Sequence, residues 1–394
     1  MEACRRSSAA ELAAAVKAIA RECGAGAVRI AGAGADADTR ARMRAATARG
    51  DVATWPYDDA YADAASDPAT LLPGARSVVC VAVPYATPAP RERRGRGRVS
   101  AYAWSADYHR RMQSLLRAIA SRIDQLAAAQ GAPGSGPTTC VVCDTAPLAE
   151  RAFAARAGLG WIGKHTSLIV KGLGSAVFLG EIVTMLELEP DPPLRTSCGA
   201  CARCVDVCPT GALRGDSTMD ATRCISDLTQ RRDPIPRALR PLIGTWVWGC
   251  DLCNDACPPS MRAGRAGDDA FAPLDDELAA PDLHALLRLR GAAFARVRTT
   301  AMGWRGATVL RRNAAVALGN CLDRADVPAL AEALREDPSP LVRGHAAWAL
   351  GRIASPPAYA ALRAAAARES DPAVAEEVAA ALEPTGPVAA FNLS

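Results

Sequence analysis

Cys198-Gly-Ala-Cys201-Ala-Arg-Cys204-Val-Asp-Val-Cys208-Pro209 is a run of four cysteines closed by proline. Downstream stand Cys224 and then Cys250-Asp-Leu-Cys253-Asn-Asp-Ala-Cys257-Pro258. Eight of the fourteen cysteines therefore fall between residues 198 and 257. The first run has the C-x2-C-x2-C-x3-C-P spacing of bacterial two-cluster ferredoxins, in which the fourth cysteine ligates the other cluster. Cys198, Cys201 and Cys204 then need one outside ligand, and Cys257 is the reciprocal candidate. Cys208, Cys250 and Cys253 begin a second set. Cys224, alone between the runs, completes it. Eight thiolates close two [4Fe–4S] sites with none left over.

Zinc and disulfides are the competing readings of such a segment. Structural zinc prefers separated C-x2-C pairs, which this run does not have. Disulfides need an oxidising compartment. The opening Met1-Glu-Ala-Cys-Arg-Arg-Ser-Ser leads into no apolar segment, so no signal peptide is expected and a cytoplasmic location is. Cys140 and Cys143 form a C-x2-C on a predicted strand, where residues three apart point to opposite faces. They are not expected to act as a redox pair.

At 394 residues, half of them hydrophobic, the chain has room for two or three domains with sizeable cores. Net charge is only +4, but arginines cluster. Arg91, Arg93, Arg94, Arg96 and Arg98 crowd one loop with only Glu92 against them. From Arg290 to Arg312 there are six arginines and no acid. Two such patches flanking a redox centre point to a polyanionic partner. No apolar run reaches the length of a membrane span.

Working outward from the cysteines, the N-terminal side alternates helices and strands. Helical spacing marks Glu11 to Cys23 and most of Tyr102 to Ala129, the latter through Leu115, Leu116, Ile119, Ile123 and Leu126. Another helix is expected from Ala146 to Ala157. Strands are expected at Gly26–Ala31, Ser77–Pro84, Thr138–Cys143, Ser167–Val170 and Ser175–Leu188. Asp36 to Pro73 is poorly periodic. After about residue 285 the pattern is helical only. Asn313-Ala-Ala-Val-Ala-Leu318-Gly recurs as His345-Ala-Ala-Trp-Ala-Leu350-Gly, and weakly as Val378-Ala-Ala-Ala-Leu382; the three leucines are 32 residues apart. A fixed helical period of this size predicts a short HEAT-like solenoid, serving as a binding surface, a lid or a structural cap. The expected class is α+β, in three parts: an α/β domain over 1–190, a two-[4Fe–4S] ferredoxin-like domain over 191–284, and HEAT-like repeats over 285–394.

Further motifs join the cysteines and the repeats. They are Tyr102-Ala-Trp-Ser-Ala-Asp107-Tyr108-His109, Asp144-Thr-Ala-Pro-Leu-Ala-Glu150-Arg151 with Gly158 through Thr166, Arg223-Cys224 through Gln230 with Pro234-Ile-Pro236, Trp248-Gly249-Cys250-Asp251, and Arg312 through Asn320. Together, over about residues 75 to 355, the chain resembles the epoxyqueuosine reductases. Asp227 stands where that family usually has tyrosine, and Asp233 where it usually has glycine. The segment Gly50 to Asp67 keeps little of the family pattern.

The resemblance implies reduction of epoxyqueuosine to queuosine at the tRNA wobble position, using cobalamin and two [4Fe–4S] clusters. It implies a cobalamin domain at the N-terminal side, with the cofactor base-off. It implies Asp144 as proton donor, at the end of a predicted strand where a carboxyl kept neutral by burial could serve. The competing role for Asp144 is helix N-cap. Thr166, Leu168, Ile225, Leu228, Cys250 and Asp251, with Asp144, would line the corrin. No histidine is expected on cobalt, although His109 and His165 lie in the motifs. Arg232 would face tRNA, and the arginine-rich stretch adds Arg305, Arg311 and Arg312. The anticodon stem-loop would be the part of tRNA bound, an external donor such as flavodoxin or ferredoxin would supply electrons, and a monomer is expected. The alternatives are another cobalamin-dependent iron–sulfur reductase of the reductive-dehalogenase type, acting on a small molecule, and a non-enzymatic electron carrier.

Overall fold

The computed structural model describes residues 7–85, 94–131, 137–263 and 267–383. Arg91 and Arg93 lie outside the described residues. The chain forms two compact units, each assembled from separate segments. The first is Met1–Ala89, Ala101–Cys224 and Asp251–Leu274; the second is Pro90–Ser100, Ile225–Cys250 and Asp275–Ser394.

The first unit is built on a four-stranded antiparallel sheet in the order Ala27–Gly32, Ser77–Pro84, Val177–Thr184, Thr139–Val142. One face takes the helices Ala9–Glu22 and Tyr108–Ala129, and the other takes Glu150–Arg156. The long helix buries Met112, Leu115, Leu116, Ile119, Ile123 and Ala127, the stripe its spacing predicts. It sits close to the sheet because Val177–Thr184 carries Gly180 beneath it: a Cβ there would come within 2.5 Å of Leu116 Cδ1. Period-two alternation sends Phe178 and Ile182 into the helix-covered core, and places Val183 on the opposite face. Cys143 packs in the first core and Cys140 against the second, opposite faces as expected, and no disulfide joins the cysteines among the described residues.

Several expected bounds shift. The helix expected from Ala146 begins at Glu150, because Pro147 and a series of bends precede it. Asp36 to Pro73 contains two helices, Ala37–Ala48 and Asp59–Ala65, capped by Asp36 and Asp58. The first buries no residue, so apolar periodicity had nothing to report. The segment is anchored by buried Asp51, whose carboxylate accepts from Arg214 at 2.9 and 2.5 Å and from Arg49 at 2.7 Å.

In the second unit, helices Ala307–Cys321, Pro340–Ile353 and Pro372–Leu382 stack in sequence, with Val327–Glu336 and Pro356–Ala366 packed alongside. The glycine that closes the first two repeat motifs sets the stacking distance. A Cβ on Gly319 would meet Ala349 Cα at 2.8 Å, and one on Gly351 would meet Ala381 Cβ at 2.8 Å. The polar residue that opens each of these two motifs faces inward. Asn313 Nδ2 donates to the carbonyls of Thr229 and Val247, at 2.7 and 2.8 Å, and the Ile235 N–H donates to His345 Nε2 at 3.2 Å. These repeats brace the Ile225–Cys250 segment. Among the described residues no helix is long and apolar enough to cross a membrane.

Candidate functional site

Asp144 follows the strand Thr139–Val142 with φ +59°, a left-handed conformation that costs a non-glycine residue and concentrates at functional sites. Its N–H donates to Glu150 Oε1 at 2.9 Å. Its side chain caps no helix: Glu150–Arg156 begins after Ala149 and has no side-chain cap. The carboxylate instead accepts the Tyr108 hydroxyl at 2.8 Å and forms a 3.4 Å ion-pair contact with His109 Nε2. Asp107, N-cap of the long helix, accepts from His109 Nδ1 at 2.7 Å. One imidazole thus stands between two carboxylates.

The electrostatics correct one expectation. Asp144 is not kept neutral by burial: its side chain is 62% exposed. The neighbouring His109 holds its carboxyl below the ordinary range, with Tyr108 adding to the effect. The proton resides on the imidazole, which Asp144 and then Asp107 push up to about 9. Tyr108, raised by burial, stays a phenol and donates to that carboxylate.

A second strained loop lies in the same unit. Thr166 has φ +68°, its carbonyl accepts from Arg151 Nη1 at 2.9 Å, and its hydroxyl contacts Met219 Sδ at 3.4 Å. It closes the hairpin of Gly160–Ile162 and Leu168–Val170. Leu168 is buried in the second core, so its side chain cannot line a cofactor and only its backbone remains available. Asp251 accepts the Ala101 N–H at 2.7 Å. Ile225, Leu228 and Cys250 belong to the second unit, where Ile225 and Leu228 are buried.

Several of the cysteines act on one another electrostatically within the first unit. Burial and the neighbouring thiols of Cys198 and Cys257 push Cys204 up, and Cys257 is raised mainly by burial, with Cys198 and Cys201 beside it. Cys253 is pushed up to about 12, mainly by burial, with Cys224 its largest electrostatic neighbour and Asp251, Cys204 and Cys208 after it. This donor chemistry suits two thiolate-ligated clusters.

Cobalamin can be tested against the donor set too. All four histidines are engaged. His109 lies between acids; His165 is buried, held down to about 4 by burial, and accepts from Ser167 N; His284 pairs with Asp326; His345 is buried in the repeats. None is free to ligate cobalt, which suits a base-off cofactor. Beside the two loops in question, Trp161 Nε1 and Asn254 Oδ1 are buried without hydrogen-bond partners among the described residues. A corrin rim carries amides that can accept from one and donate to the other.

The arginine-rich stretch reads differently once folded. Arg312 is fully buried and donates to the carbonyls of Asp233, Leu228 and Arg231 at 2.7, 3.0 and 3.1 Å. Arg311 is buried against Asp337 at 2.8 Å, and Arg290 shares the same acid. Arg296 pairs with Asp275. Arg311 and Arg312 are therefore not phosphate contacts: acids and carbonyls distant in sequence take them. In the other patch, Arg94 pairs with Asp323, Arg96 with Glu277, and Arg98 stacks over Trp246. Arg232 remains exposed. Arg305 lies 3.6 Å over the ring of Trp304, itself 49% exposed, and feels the charge of Arg232. Asp227 forms a buried pair with Arg231.

Sequence reading missed Glu181. It is fully buried in Val177–Thr184, opposite Cys80 and Val142 on the neighbouring strands. Its signal was one carboxylate inside an otherwise apolar strand.

Three family models match the chain: "Epoxyqueuosine reductase QueG, DUF1730" over residues 66–145, "4Fe-4S double cluster binding domain" over 197–260, and "HEAT repeats" over 306–383. The epoxyqueuosine reductase of Bacillus cereus is 36% identical over 325 residues, 81% of this chain and 83% of that protein. That of Xanthomonas campestris is 38% identical over 351 residues, 87% and 96% of the two chains. An epoxyqueuosine reductase solved with an epoxyqueuosine-modified tRNA-Tyr stem loop superposes at TM-score 0.86 and 31% identity, covering 95% of this chain and 98% of that one. A Bacillus subtilis epoxyqueuosine reductase, solved with its catalytic aspartate loop swung out of the active site, gives TM-score 0.85 at 30% identity, covering 95% and 98%.

Proposed function

The chain belongs to the epoxyqueuosine reductase family, and we propose from that premise that it reduces epoxyqueuosine to queuosine in tRNA with Asp144 as the proton donor. The reaction removes one oxygen as water: epoxide plus two electrons and two protons gives an alkene and water. Cobalamin, when bound, supplies two-electron reduction at the epoxide carbon, and the two [4Fe–4S] clusters supply the electrons. Cys198, Cys201, Cys204 and Cys257 would hold one cluster; Cys208, Cys224, Cys250 and Cys253 the other. Thr166, Asp251, Cys250 and the backbones of Leu168, Ile225 and Leu228 would hold the corrin.

The observation that carries the reading is the Asp107–His109–Asp144 array with Tyr108 beside it. An epoxide oxygen leaves readily only if protonated as the C–O bond breaks. Asp144, ionised in the free protein, would take the His109 proton and pass it to that oxygen. The carboxylate is exposed, hence open to a substrate, and a loose contact in the free protein can tighten in the complex. Exposed Arg232, with Arg305 and Trp304, suits phosphate contact and base stacking on an anticodon stem-loop. An external flavodoxin or ferredoxin would reload the clusters, and the protein would act as a cytoplasmic monomer. The test is anaerobic incubation of cobalamin- and cluster-loaded protein with a reductant and epoxyqueuosine tRNA, read by nucleoside mass spectrometry. Queuosine is the expected product; unchanged epoxyqueuosine would refute the assignment.

A further inference from the structure

Beneath the Asp144 loop lies a second acidic group that the reaction scheme leaves unused. Glu181 points from the centre of the sheet into the face covered by Glu150–Arg156, with no exposed surface. Neither of its oxygens finds an N–H or O–H donor among the described residues. Its neighbour is the carboxyl of Glu150, at hydrogen-bonding contact. Two carboxylates cannot hydrogen-bond to each other; a carboxylic acid and a carboxylate can.

The cations nearby are committed elsewhere. Arg151 donates to the Thr166 carbonyl at 2.9 Å, and Arg156 donates to the carbonyls of Gly34 and Gly32 at 2.6 and 2.8 Å. The remaining titratable groups facing the pair are Cys80 from the adjoining strand, Cys143 and Asp144 from the loop, and Tyr57 and Tyr61, the latter on Asp59–Ala65. None of these supplies positive charge. A lone buried carboxylate in such a place is costly, and two are costlier. Burial accordingly raises both groups, and at Glu150 the Asp144 N–H offsets this only in part.

We propose that Glu150 and Glu181 hold one proton between them, and that this protonated pair clamps the backbone N–H of Asp144, so that both glutamates are positioning residues for the proton donor. The geometry is direct. Glu150 is tied from below by Glu181 and accepts the Asp144 N–H at 2.9 Å. That bond holds Asp144 at φ +59°, a conformation the residue would leave if released. The catalytic consequence rests on Asp144 being the donor. The clamp itself does not.

The test compares Glu150→Ala, Glu150→Gln and Glu181→Gln in the full-length, cofactor-loaded protein. Alanine removes the acceptor. Exchange of the Asp144 amide should rise roughly tenfold, the loss of one net hydrogen bond. Single-turnover reduction should slow about 10²-fold, as mispositioning by an ångström does, while tRNA affinity, iron and cobalamin content hold. Either glutamine replaces the shared proton with an amide N–H, so amide protection should return, and Glu150→Gln should rescue turnover relative to alanine. Infrared spectra of the wild type at neutral pH should contain the carbonyl band of a buried protonated carboxyl, absent in Glu181→Gln. Unchanged Asp144 exchange in Glu150→Ala, a failed glutamine rescue, or no such band would each overturn the proposal. If Asp144→Asn proves fully active while Glu150→Ala still frees the amide, the clamp stands and the donor assignment falls.

Discussion

His109 is the residue whose surroundings decide when the site can work. With its ordinary value near 6.5 and its folded value at about 9, the imidazole takes up its proton on folding. That contribution is fully present below about 6.5 and is lost as pH rises through about 9. Single-turnover reduction should therefore be flat through neutrality and fall on the alkaline side with an apparent pKa near 9, a property of the His109–Asp144 pair rather than of either alone. His109→Gln should abolish that limb and slow the reaction by about 10²-fold, the lower end of general-acid contributions. A limb that persists unchanged in the glutamine variant would assign it to another group. Asp144 was legible in the sequence because a strand end and a motif coincide there. Its charge state was not, since that depends on an imidazole thirty-five residues earlier in the chain.

The strand Val177–Thr184 and the helix Ala307–Cys321 show what periodicity can and cannot convey. The strand's apolar run placed it in the sheet, while Glu181 passed as an isolated exception. Its carboxyl is raised by burial, so the stability it allows is present at low pH and lost as pH rises and the shared proton leaves. Thermal unfolding across mildly acidic to mildly alkaline buffers should show a decline in the wild type that Glu181→Gln flattens; parallel curves would contradict this. The helix was legible as a repeat unit, but its two leading arginines were misread. A run without local acids looks cationic, yet Asp337 and three backbone carbonyls neutralise or satisfy Arg311 and Arg312 from elsewhere in the fold. Arg312→Ala should leave those carbonyls buried and unpaired, at about 3 kcal/mol or more, seen as a lower denaturation midpoint. A stability equal to wild type would show that water replaces the guanidinium.

At the scale of the whole molecule, chemistry carried on local spacing was read correctly, and surfaces were not. The cysteine runs needed only their own intervals. A tRNA-facing surface depends on the fold, which withdraws Arg311 and Arg312; Arg232 and Arg305 are the residues proposed for it. Replacing those two with alanine should flatten the salt dependence of stem-loop binding by about two units of slope; an unchanged slope would return them to ordinary surface charge. Cys224→Ala should lower iron from about eight to about four per chain, the loss of one cubane, whereas Cys80→Ala should leave it whole. One measurement bears most directly on the account: a single anaerobic turnover of epoxyqueuosine tRNA by Asp144→Asn beside the wild type, read by nucleoside mass spectrometry with iron and cobalamin content determined on the same samples. Asparagine keeps the size and hydrogen-bonding capacity of the residue but cannot hold an acidic proton. The expected result is full cofactor content with queuosine formed about 10²–10⁴-fold more slowly. Queuosine formed at the wild-type rate would contradict the assignment of Asp144 as the proton donor.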